Sequence, residues 1–389
     1  MKEVKNEIMA LLILSCNTGQ GHNSCANAVK EYAETKGEKS EIIDTLDFVS
    51  HSVARFMSWG HTAMYRHFHW LFKLIYGVSE RHPSVFSQKS GMYRMLALGS
   101  DKLYQYIKSE GFDVVICTHV FAALMMTEVQ KRFNLPVALG EIATDYTCNV
   151  GAKESFTDVF FIPDESLAAE FESPSIRDEQ LCSSGIPVRQ MFYKNTEKMM
   201  AKCKFGVPID HKHLLMMCGS MGCGPMKRLA WLLTRKMPDD VFMTIVCGTN
   251  STLRKKLQRV YKDNSKVQIL GYVKNMSLLM DSADLYLTKP GGISVTEAAV
   301  KNLPMVLIDA VGGCELYNKF FFVRNGGART GAYSGELSRI CLDLLQNDRK
   351  REAMQRSLAV LSKENAAQII YDKMNEIRLC KSGEQVNLT

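Results

Sequence analysis

The chain has 389 residues, of which 46% are hydrophobic and 23% are charged, and this is long enough for two α/β domains with full cores. No stretch is long and apolar enough to cross a bilayer, and the twelve cysteines lack C-x-x-C spacing, a pattern typical of reduced, buried thiols in a cytosolic protein. The formal net charge of +7 favours an anionic partner, but it does not choose among lipid, nucleic acid and sugar nucleotide.

The first predicted element is an apolar strand over residues 9–14. It leads into the loop Cys16-Asn17-Thr18-Gly19-Gln20-Gly21-His22, and a helix is predicted from Ser24 to about Ala33. A lone histidine before a helix is explained by a simple cap. If the other half of the chain holds a donor site, His22 becomes a candidate general base, because its usual pKa of about 6.5 suits proton transfer near neutral pH.

The segment between Asp47 and Glu80 contains no acidic residue and alternates basic with aromatic side chains. Such a mixture is typical of a membrane interface, and the residues that we single out are Phe56, Trp59, Arg66, Trp70 and Phe72. The same helical spacing also describes an ordinary buried helix face, and this alternative stays open. No arginine-rich stripe or RNA-binding motif accompanies the aromatics, so nucleic acid is not expected as a partner.

Further apolar runs predict the rest of an N-terminal doubly wound sheet, at residues 41–43, 114–117, 137–142 and 159–162. Asp145 follows one of these runs in the sequence Ala143-Thr144-Asp145. It is either a loop cap or a second candidate that orients or replaces the base. In the C-terminal half, strands are predicted at 214–217, 242–246, 267–270, 285–287 and 305–308.

Glycine turns follow several of the C-terminal strands. The first is Gly219-Ser220-Met221-Gly222, which is neither a Walker A loop nor a G-x-G-x-x-G motif, and a helix follows from Met226. Tyr272-Val273 follow Gly271 at a later strand end, and Gly313-Cys314-Glu315 with Asn318 follow the last strand. Several such turns at strand ends are the arrangement expected at the ligand-binding crevice of an open α/β sheet.

The most informative turn is T-K-P-G-G-I-S-V-T-E, from Thr288 to Glu297. Its two glycines allow close backbone approach, and Ser294 is predicted to open a helix whose N-terminus attracts phosphate. Glu297 would then accept hydrogen bonds from a ribose diol. The alternative is an ordinary turn in which Ser294 caps the helix and Glu297 completes an S-x-x-E capping box. Lys289 either adds a positive charge near the phosphates or is simply solvated.

With these motifs the chain resembles the GT-B glycosyltransferases of family 28, which include the lipid II-forming transferase MurG. It is more closely similar to the monogalactosyldiacylglycerol synthases and the processive diacylglycerol glucosyltransferases. The resemblance covers nearly the whole chain and includes the loop at residues 18–22, where Gln20 replaces the middle glycine of the family's commonest T-G-G-G-H-like form.

The resemblance implies an α/β fold of the GT-B type, with two doubly wound Rossmann-like domains facing a central cleft. Residues 1–187 are expected to form the acceptor- and membrane-binding domain and residues 188–389 the UDP-sugar-binding domain. The last helix of the family, here near residues 366–377, crosses back to the N-terminal domain.

The resemblance also implies a donor site. The loops that match Gly219-Ser220-Met221-Gly222 and Gly292-Ile293-Ser294 hold the two phosphates of a UDP-sugar, and the acid that matches Glu297 binds the ribose. Tyr272 and Val273 face uracil, and Glu315 reads sugar hydroxyls, with Cys314 and Asn318 beside it. The family commonly has Gly-Gln-Glu where this chain has Gly313-Cys314-Glu315, which weakens any inference about the sugar.

The implied enzyme is an inverting, UDP-sugar-dependent hexosyltransferase of the 1,2-diacylglycerol 3-beta-glycosyltransferase type. It would move glucose or galactose to diacylglycerol or a glycosyl-diacylglycerol, with His22 and Asp145 as catalytic residues. No D-x-D occurs in the sequence, so no metal or other cofactor is expected. The expected location is cytoplasmic and peripheral on an anionic inner membrane face. A polyprenyl-diphosphate sugar acceptor, as in MurG, and a non-catalytic UDP-sugar sensor remain alternatives.

Overall fold

The protein was analysed as a computed structural model that describes residues 9–17, 20–52, 55, 83–173, 175–222, 224–308, 313–363 and 365–383. The chain divides into two compact units. The first comprises Met1–Gln190 together with Glu364–Thr389, and the second comprises Met191–Lys363. The second unit is therefore inserted into the sequence of the first.

The first unit is built on a six-stranded sheet in which every pair of neighbouring strands is parallel. Its strands are β1 (Ala10–Ser15), β2 (Lys39–Asp44), β3 (Val114–Cys117), β4 (Ala138–Ile142), β5 (Val159–Ile162) and β6 (Leu181–Ser183). Their order is β2-β1-β3-β4-β5-β6, so the chain leaves β1 toward one edge and returns on its other side at β3. The carboxyl ends of β1 and β3 are thus the topological switch point, where open α/β sheets bind ligands.

Helices cover both faces of this first sheet. The described helices before the crossing into the second unit are α1 (Gln20–Thr35), α2 (Leu46–Val49), α3 (Gly91–Ala97), α4 (Ser100–Glu110), α5 (Val120–Phe133) and α6 (Ala168–Phe171). On one face, Leu12 and Leu14 of β1 pack with Leu103 of α4 and Leu124 of α5 in one buried cluster. Burial of such apolar side chains is the main term that holds the layers together.

The second unit repeats the same architecture with a second parallel sheet. Its strands are β7 (Lys212–Met217), β8 (Val241–Val246), β9 (Val267–Leu270), β10 (Leu285–Thr288), β11 (Met305–Leu307) and β12 (Ala328–Thr330). Their order is β12-β11-β10-β7-β8-β9, which places the switch point between β7 and β10.

The helices of the second unit lie between and after these strands. They are α7 (Lys198–Phe205), α8 (Met226–Thr234), α9 (Ser251–Val260), α10 (Met276–Asp281), α11 (Gly292–Val300), α12 (Cys314–Arg324), α13 (Ser334–Gln346) and α14 (Asp348–Leu361). One face of the sheet, represented by Leu285 and Leu287 of β10, shares a buried cluster with Leu229 of α8, Leu257 of α9 and Cys341 of α13. Helices α8, α9 and α13 therefore cover the same face.

The last described helix, α15 (Ala366–Ser382), belongs to the first unit. Met374 of α15 lies against β4 at Gly140, where an added Cβ would come within 2.7 Å of the Met374 sulfur. The Arg378 guanidinium is 3.1 Å from the Asp113 carboxylate. Close packing and paired charges thus seat α15 on the first sheet. No helix in the described ranges is long and apolar enough to span a membrane.

The predicted class, with two doubly wound parallel sheets, is confirmed, and each predicted strand is present. Two short strands, β6 and β12, were not predicted because three residues are too few to show a period. Helix α1 begins at Gln20, not at Ser24, so His22 lies in its first turn. The expectation of buried thiols is wrong for Cys203 and Cys380, which are exposed.

A buried carboxyl group lies within the first sheet. Glu141 projects from the same face of β4 as Leu139 and is 5% exposed. The Ser155 hydroxyl is 2.7 Å from both the Glu141 carboxyl and the Ala152 carbonyl. Because the serine has one proton, it can donate to the Ala152 carbonyl while it accepts a hydrogen bond from a neutral Glu141 carboxyl. The geometry therefore suits a neutral Glu141, and burial raises its pKa to about 8.

This raised pKa predicts a pH-dependent stability that Glu141→Gln removes. Between pH 4.5 and about 8 the native protein keeps a proton that the unfolded chain has released. The unfolding free energy of the parent therefore falls as pH rises through this window, by at most about 1.4 kcal/mol per pH unit. The amide of Gln can still donate to Ser155, so the variant gains stability over the parent up to about pH 8.

Denaturant unfolding curves across this window measure the difference. Glu179→Gln is the matched control, because it removes a carboxylate whose side chain is 81% exposed in the same unit. Parallel pH profiles for the parent and Glu141→Gln would contradict a neutral buried Glu141.

Candidate functional site

Two glycine loops leave the switch point of the second sheet, one after β7 and one after β10. The loop after β7 carries Gly219 and Gly222 with positive φ angles of 70° and 57°, a conformation that glycine adopts without strain. It therefore turns sharply at the strand end, and the strand order puts it beside the loop that follows β10. The two predicted phosphate-holding loops are brought to one edge of the sheet.

The loop after β7 is held by direct backbone contact with the loop after β8. The Thr249 N–H donates to the Ser220 carbonyl at 2.8 Å, and the Asn250 side chain donates to the Gly222 carbonyl at 3.3 Å. An added Cβ at Gly248 would lie 2.0 Å from the Ser220 oxygen, and one at Gly222 would lie 2.4 Å from the Cys247 oxygen. Both glycines are thus required for the backbones of these two loops to approach this closely.

Lys289 connects the loop after β10 with its neighbours. A Cβ added at Gly219 would be 2.6 Å from the Lys289 side chain, so this lysine crosses directly over the glycine. Its ammonium group is 2.7 Å from the Glu315 carboxylate, and these two side chains are only 17% and 14% exposed. The alternative of a solvated lysine is therefore wrong, and the ion pair of Lys289 with Glu315 is held at the edge where both loops converge.

Helix α11 begins in this loop, and its N-terminus faces the same edge. Its N-cap residue is Gly291, with no side-chain cap, and the first helical bond runs from the Val295 N–H to the Gly291 carbonyl at 3.1 Å. Ser294 is therefore inside the helix, and the S-x-x-E capping box is wrong. The backbone N–H groups of residues 292–294 precede the first helical bond and give this end of the helix a partial positive charge.

Glu297 lies one turn into α11 and is half-buried. Burial raises the pKa of the Tyr286 hydroxyl on β10, and the negative charge of Glu297 raises it further. Asn318 of α12 is fully buried, and its side-chain amide donates a hydrogen bond to the Pro290 carbonyl at 3.0 Å. This bond stabilises the loop after β10. Glu297 and Asn318 are thus both joined to the loop after β10.

The remaining predicted donor residues lie at neighbouring strand ends. Tyr272 and Val273 connect β9 to α10, and Tyr272 is 68% exposed. Cys314 and Glu315 open α12, directly after the part of the chain at 309–312 that the structure does not describe. The structure therefore brings Gly219, Lys289 and Glu315 together, and it places Tyr272 and Val273 at the end of the edge strand β9.

His22 lies in the first turn of α1, the helix that follows β1, and its side chain contacts residues that directly follow β3 and β4. Its Nδ1 atom is 2.7 Å from the Thr118 carbonyl and 3.2 Å from the Thr144 hydroxyl. A carbonyl can only accept, so Nδ1 carries the proton and Nε2 is the unprotonated nitrogen of the neutral ring. This is the tautomer that a general base requires, since its lone pair is directed away from the supporting carbonyl.

The second candidate base, Asp145, directly follows Thr144 and is half-buried. The ring of His119 meets the ring of His22 edge to face at a centroid distance of 4.5 Å, and its Nδ1 accepts the Phe121 N–H at the start of α5. His22 is thus packed between the ends of β3 and β4. Its catalytic role and that of Asp145 stay predictions.

Some predicted residues lie outside the described part of the chain. These are the membrane-facing candidates Phe56, Trp59, Arg66, Trp70 and Phe72, together with Thr18 and Gly19 of the N-terminal loop. Conversely, our sequence analysis missed Gly248, Thr249 and Thr118. A glycine followed by polar residues directly after the apolar run at 242–246 was the available signal for the first two, whereas nothing local marks Thr118 as a partner of His22.

Two known families match this chain in succession. Residues 22–188 match the family described as monogalactosyldiacylglycerol (MGDG) synthase, and residues 213–370 match the glycosyltransferase family 28 C-terminal domain. A processive diacylglycerol beta-glucosyltransferase from Bacillus licheniformis is 26% identical over 372 residues, which cover 94% of each chain. The similarity therefore includes both units.

Solved structures share the fold at low sequence identity. MurG from Acinetobacter baumannii superimposes with a TM-score of 0.62 at 12% identity, over 95% of this chain and 99% of its own. MnaA from Staphylococcus aureus, solved with UDP, has a TM-score of 0.63 at 14% identity, over 98% of this chain and all of its own. These likenesses show an architecture like that of the GT-B glycosyltransferases.

The contact between the loops after β7 and β8 predicts that Gly248→Ala destabilises the second unit more than Gly206→Ala. Both glycines have positive φ, so each alanine costs roughly 1 kcal/mol of backbone strain. No atom lies within 4 Å of a Cβ at Gly206, whereas the Cβ at Gly248 collides with the Ser220 carbonyl. We expect Gly248→Ala to cost roughly 1–3 kcal/mol more, measured by denaturant unfolding. Equal losses in the two variants would refute the contact.

Proposed function

Because residues 22–188 match the monogalactosyldiacylglycerol synthase family and residues 213–370 match the C-terminal domain of family 28 glycosyltransferases, we propose that this chain transfers a hexose from UDP-glucose or UDP-galactose to diacylglycerol or a glycosyl-diacylglycerol. The observation that carries the proposal is the convergence of two glycine loops, a helix N-terminus and Lys289 at the switch point of the second sheet. The relatives' names supply the acceptor, since several are processive diacylglycerol beta-glucosyltransferases.

The donor's diphosphate is assigned to the edge between β7 and β10. At Gly219 and Gly222 the turn offers backbone without a side chain, and the N-terminus of α11 offers N–H groups to the phosphate oxygens. Glu297, which does not take part in a capping box, accepts hydrogen bonds from the ribose hydroxyls. Tyr272 and Val273 lie against the uracil. Glu315 and Cys314 at the start of α12 are assigned to the sugar.

The departing UDP carries the negative charge that the reaction creates. The helix N-terminus and Lys289 stabilise this charge, in the manner of fixed dipoles that need no reorganisation during the reaction. We therefore propose that transfer needs no metal ion or other cofactor. Lys289 is half-buried, and its pairing with Glu315 supports this role by holding the ammonium group in one position at this edge.

His22 is assigned as the general base, with Asp145 as the candidate that orients or replaces it. The Nε2 atom takes the proton of the acceptor hydroxyl, while the hydroxyl oxygen forms a bond to the anomeric carbon. The bond between that carbon and the diphosphate breaks, and its electron pair leaves with UDP. A single displacement of this kind inverts the configuration, from an α-linked donor to a β-glycoside.

The acceptor is a membrane lipid, so we place the protein on the inner face of the cell membrane as a peripheral, cytoplasmic enzyme. The absence of any spanning helix in the described ranges is compatible with this location. The partners are then the UDP-sugar, the diacylglycerol and the anionic lipid surface, with no nucleic acid.

A product assay tests the proposed function. Purified protein is incubated with diacylglycerol in anionic vesicles and with labelled UDP-glucose or UDP-galactose, and the extracted lipids are resolved by mass. We expect a lipid-linked hexose from one donor, with undiminished yield in the presence of a chelator, and a β-linkage by NMR. UDP binding without any lipid product would instead support a polyprenyl acceptor or a sensor. A product lost with the chelator would overturn metal independence.

Two variants are expected to separate donor binding from chemistry. Glu297→Ala should weaken UDP binding by on the order of 1–3 kcal/mol, because a buried pairing with the ribose is lost. His22→Ala should leave UDP affinity unchanged and lower kcat by roughly 10²–10⁴-fold, the usual contribution of a general base. Calorimetric UDP titration and the product assay measure the two effects.

Each variant serves as the control for the other, because both are single truncations to alanine in folded protein. Unchanged UDP affinity in Glu297→Ala would remove the assignment of the ribose site. Full transfer activity in His22→Ala would show that His22 is not the base and would leave Asp145 as the candidate. Asp145→Asn would then be tested in the same assays.

A further inference from the structure

The two units carry opposite net charge. The second unit holds 27 of the 48 lysines and arginines but only 14 of the 41 acidic residues, a formal net charge of +13. The first unit holds 21 and 27, a formal net charge of −6. The net charge of +7 for the whole chain is therefore the sum of a strongly basic second unit and an acidic first unit.

A stripe of basic residues around an exposed tryptophan runs along α8. Trp231 is 51% exposed, and the guanidinium carbon of Arg235 lies 4.6 Å from the centroid of its ring. Lys227 and Arg228 are exposed one turn earlier, on the same side of the helix. The helix contains no acidic residue, and its other face is buried in the core of the unit.

Helix α9 presents a second basic face beside the first. Lys255, Lys256 and Arg259 are exposed, Val260 at its end is 68% exposed, and the helix has no acidic residue. Helices α8 and α9 follow the adjacent strands β7 and β8 and bury their apolar sides in the same cluster. Their solvent-facing sides therefore lie on one side of the unit.

Acidic residues around this face are mostly engaged elsewhere. Asp239, after α8, is paired with Lys266, and Asp263, after α9, is paired with Lys262 at 3.7 Å. On α13, which packs against α8, Asp343 is 2.7 Å from Lys350. Asp239, Asp263 and Asp343 are thus each paired with a lysine that lies outside α8 and α9.

We propose that the exposed sides of α8 and α9 form a docking surface for an anionic lipid bilayer, which we call the α8–α9 face. Lys227, Arg228, Arg235, Lys255, Lys256 and Arg259 attract the headgroups, and Trp231 enters the interface. The inference rests on the proposed function, because a lipid acceptor requires the protein to work at a bilayer. It goes further in assigning membrane contact to the nucleotide-binding unit.

The chemistry of the face fits lipid better than nucleic acid. Nucleic-acid platforms stack successive bases on several aromatic rings, whereas the α8–α9 face has a single exposed indole. A tryptophan with an apolar ring and a polar N–H suits the boundary between headgroups and acyl chains. Each basic residue near an anionic surface strengthens binding by about fivefold, an effect that fades within a Debye length of about 8 Å.

Charge reversal tests the electrostatic part of the proposal. The full-length variant Lys255→Glu/Lys256→Glu/Arg259→Glu is compared with Lys204→Glu/Arg349→Glu/Arg356→Glu, which reverses three exposed charges on other helices of the same unit. Partitioning onto phosphatidylcholine vesicles with and without phosphatidylglycerol, but without diacylglycerol, is measured by sedimentation. We expect the first variant to lose at least tenfold in binding to the anionic vesicles and the second no more than about threefold.

The tryptophan gives a spectroscopic signature of contact. Addition of anionic vesicles should shift the fluorescence of Trp231 to shorter wavelength, and the difference between the parent and Trp231→Phe isolates that signal. UDP affinity, measured on every variant, reports an intact fold. No difference between the parent and Trp231→Phe spectra, or equal losses in the two triple variants, would overturn the proposal. A competing RNA that displaces the vesicles and binds through the same residues more tightly would also overturn it.

These outcomes are independent of the proposed reaction, because the vesicles contain no acceptor. Transfer to diacylglycerol in mixed detergent micelles is measured separately. Activity in micelles with unchanged vesicle binding in the α9 variant would reject the α8–α9 face and keep the enzyme. If that variant loses vesicle binding but the parent shows no transfer, the proposed enzymatic function is rejected and the lipid-docking surface is supported.

Discussion

The contact between the loops after β7 and β8 is the constraint on which the candidate donor site depends. At Gly222 and Gly248 two peptide backbones meet so closely that neither position has room for a methyl group. In this contact the Thr249 N–H donates a hydrogen bond to the Ser220 carbonyl and fixes its position. The Lys289 side chain packs against the loop at Gly219. A rigid loop of this kind presents backbone groups without an entropic cost at the moment of binding.

The two units use one topology for two kinds of chemistry. In the second unit the switch point is lined with glycines, a lysine and a helix N-terminus, which suit an anion. In the first unit the switch point carries a histidine whose tautomer is set by the Thr118 carbonyl. Parallel strands bring their carboxyl ends to one edge, and the side chains at that edge differ between the two units.

Much of this was accessible from the sequence, because long apolar strands and glycine turns are local signals. The strand at 285–287 and the turn after it were predicted within a residue, and Glu297 was predicted one turn into the helix. The start of this helix was not predicted correctly, because Ser294 is a typical N-cap residue but Gly291 is the N-cap in the structure. Contacts between distant segments, such as Thr118 with His22 and Lys289 with Glu315, depend on strand order, which local patterns do not encode.

The insertion of one unit into the other has a consequence for biosynthesis. Helix α15 covers part of the first sheet, where Met374 packs against Gly140, but it follows the whole second unit in the chain. A ribosome therefore completes all of the second unit before the first unit receives its final helix. Since domains fold as units during synthesis, the unit encoded second can reach its native state first. Until α15 has been synthesised, the part of the first sheet on which it packs therefore stays uncovered.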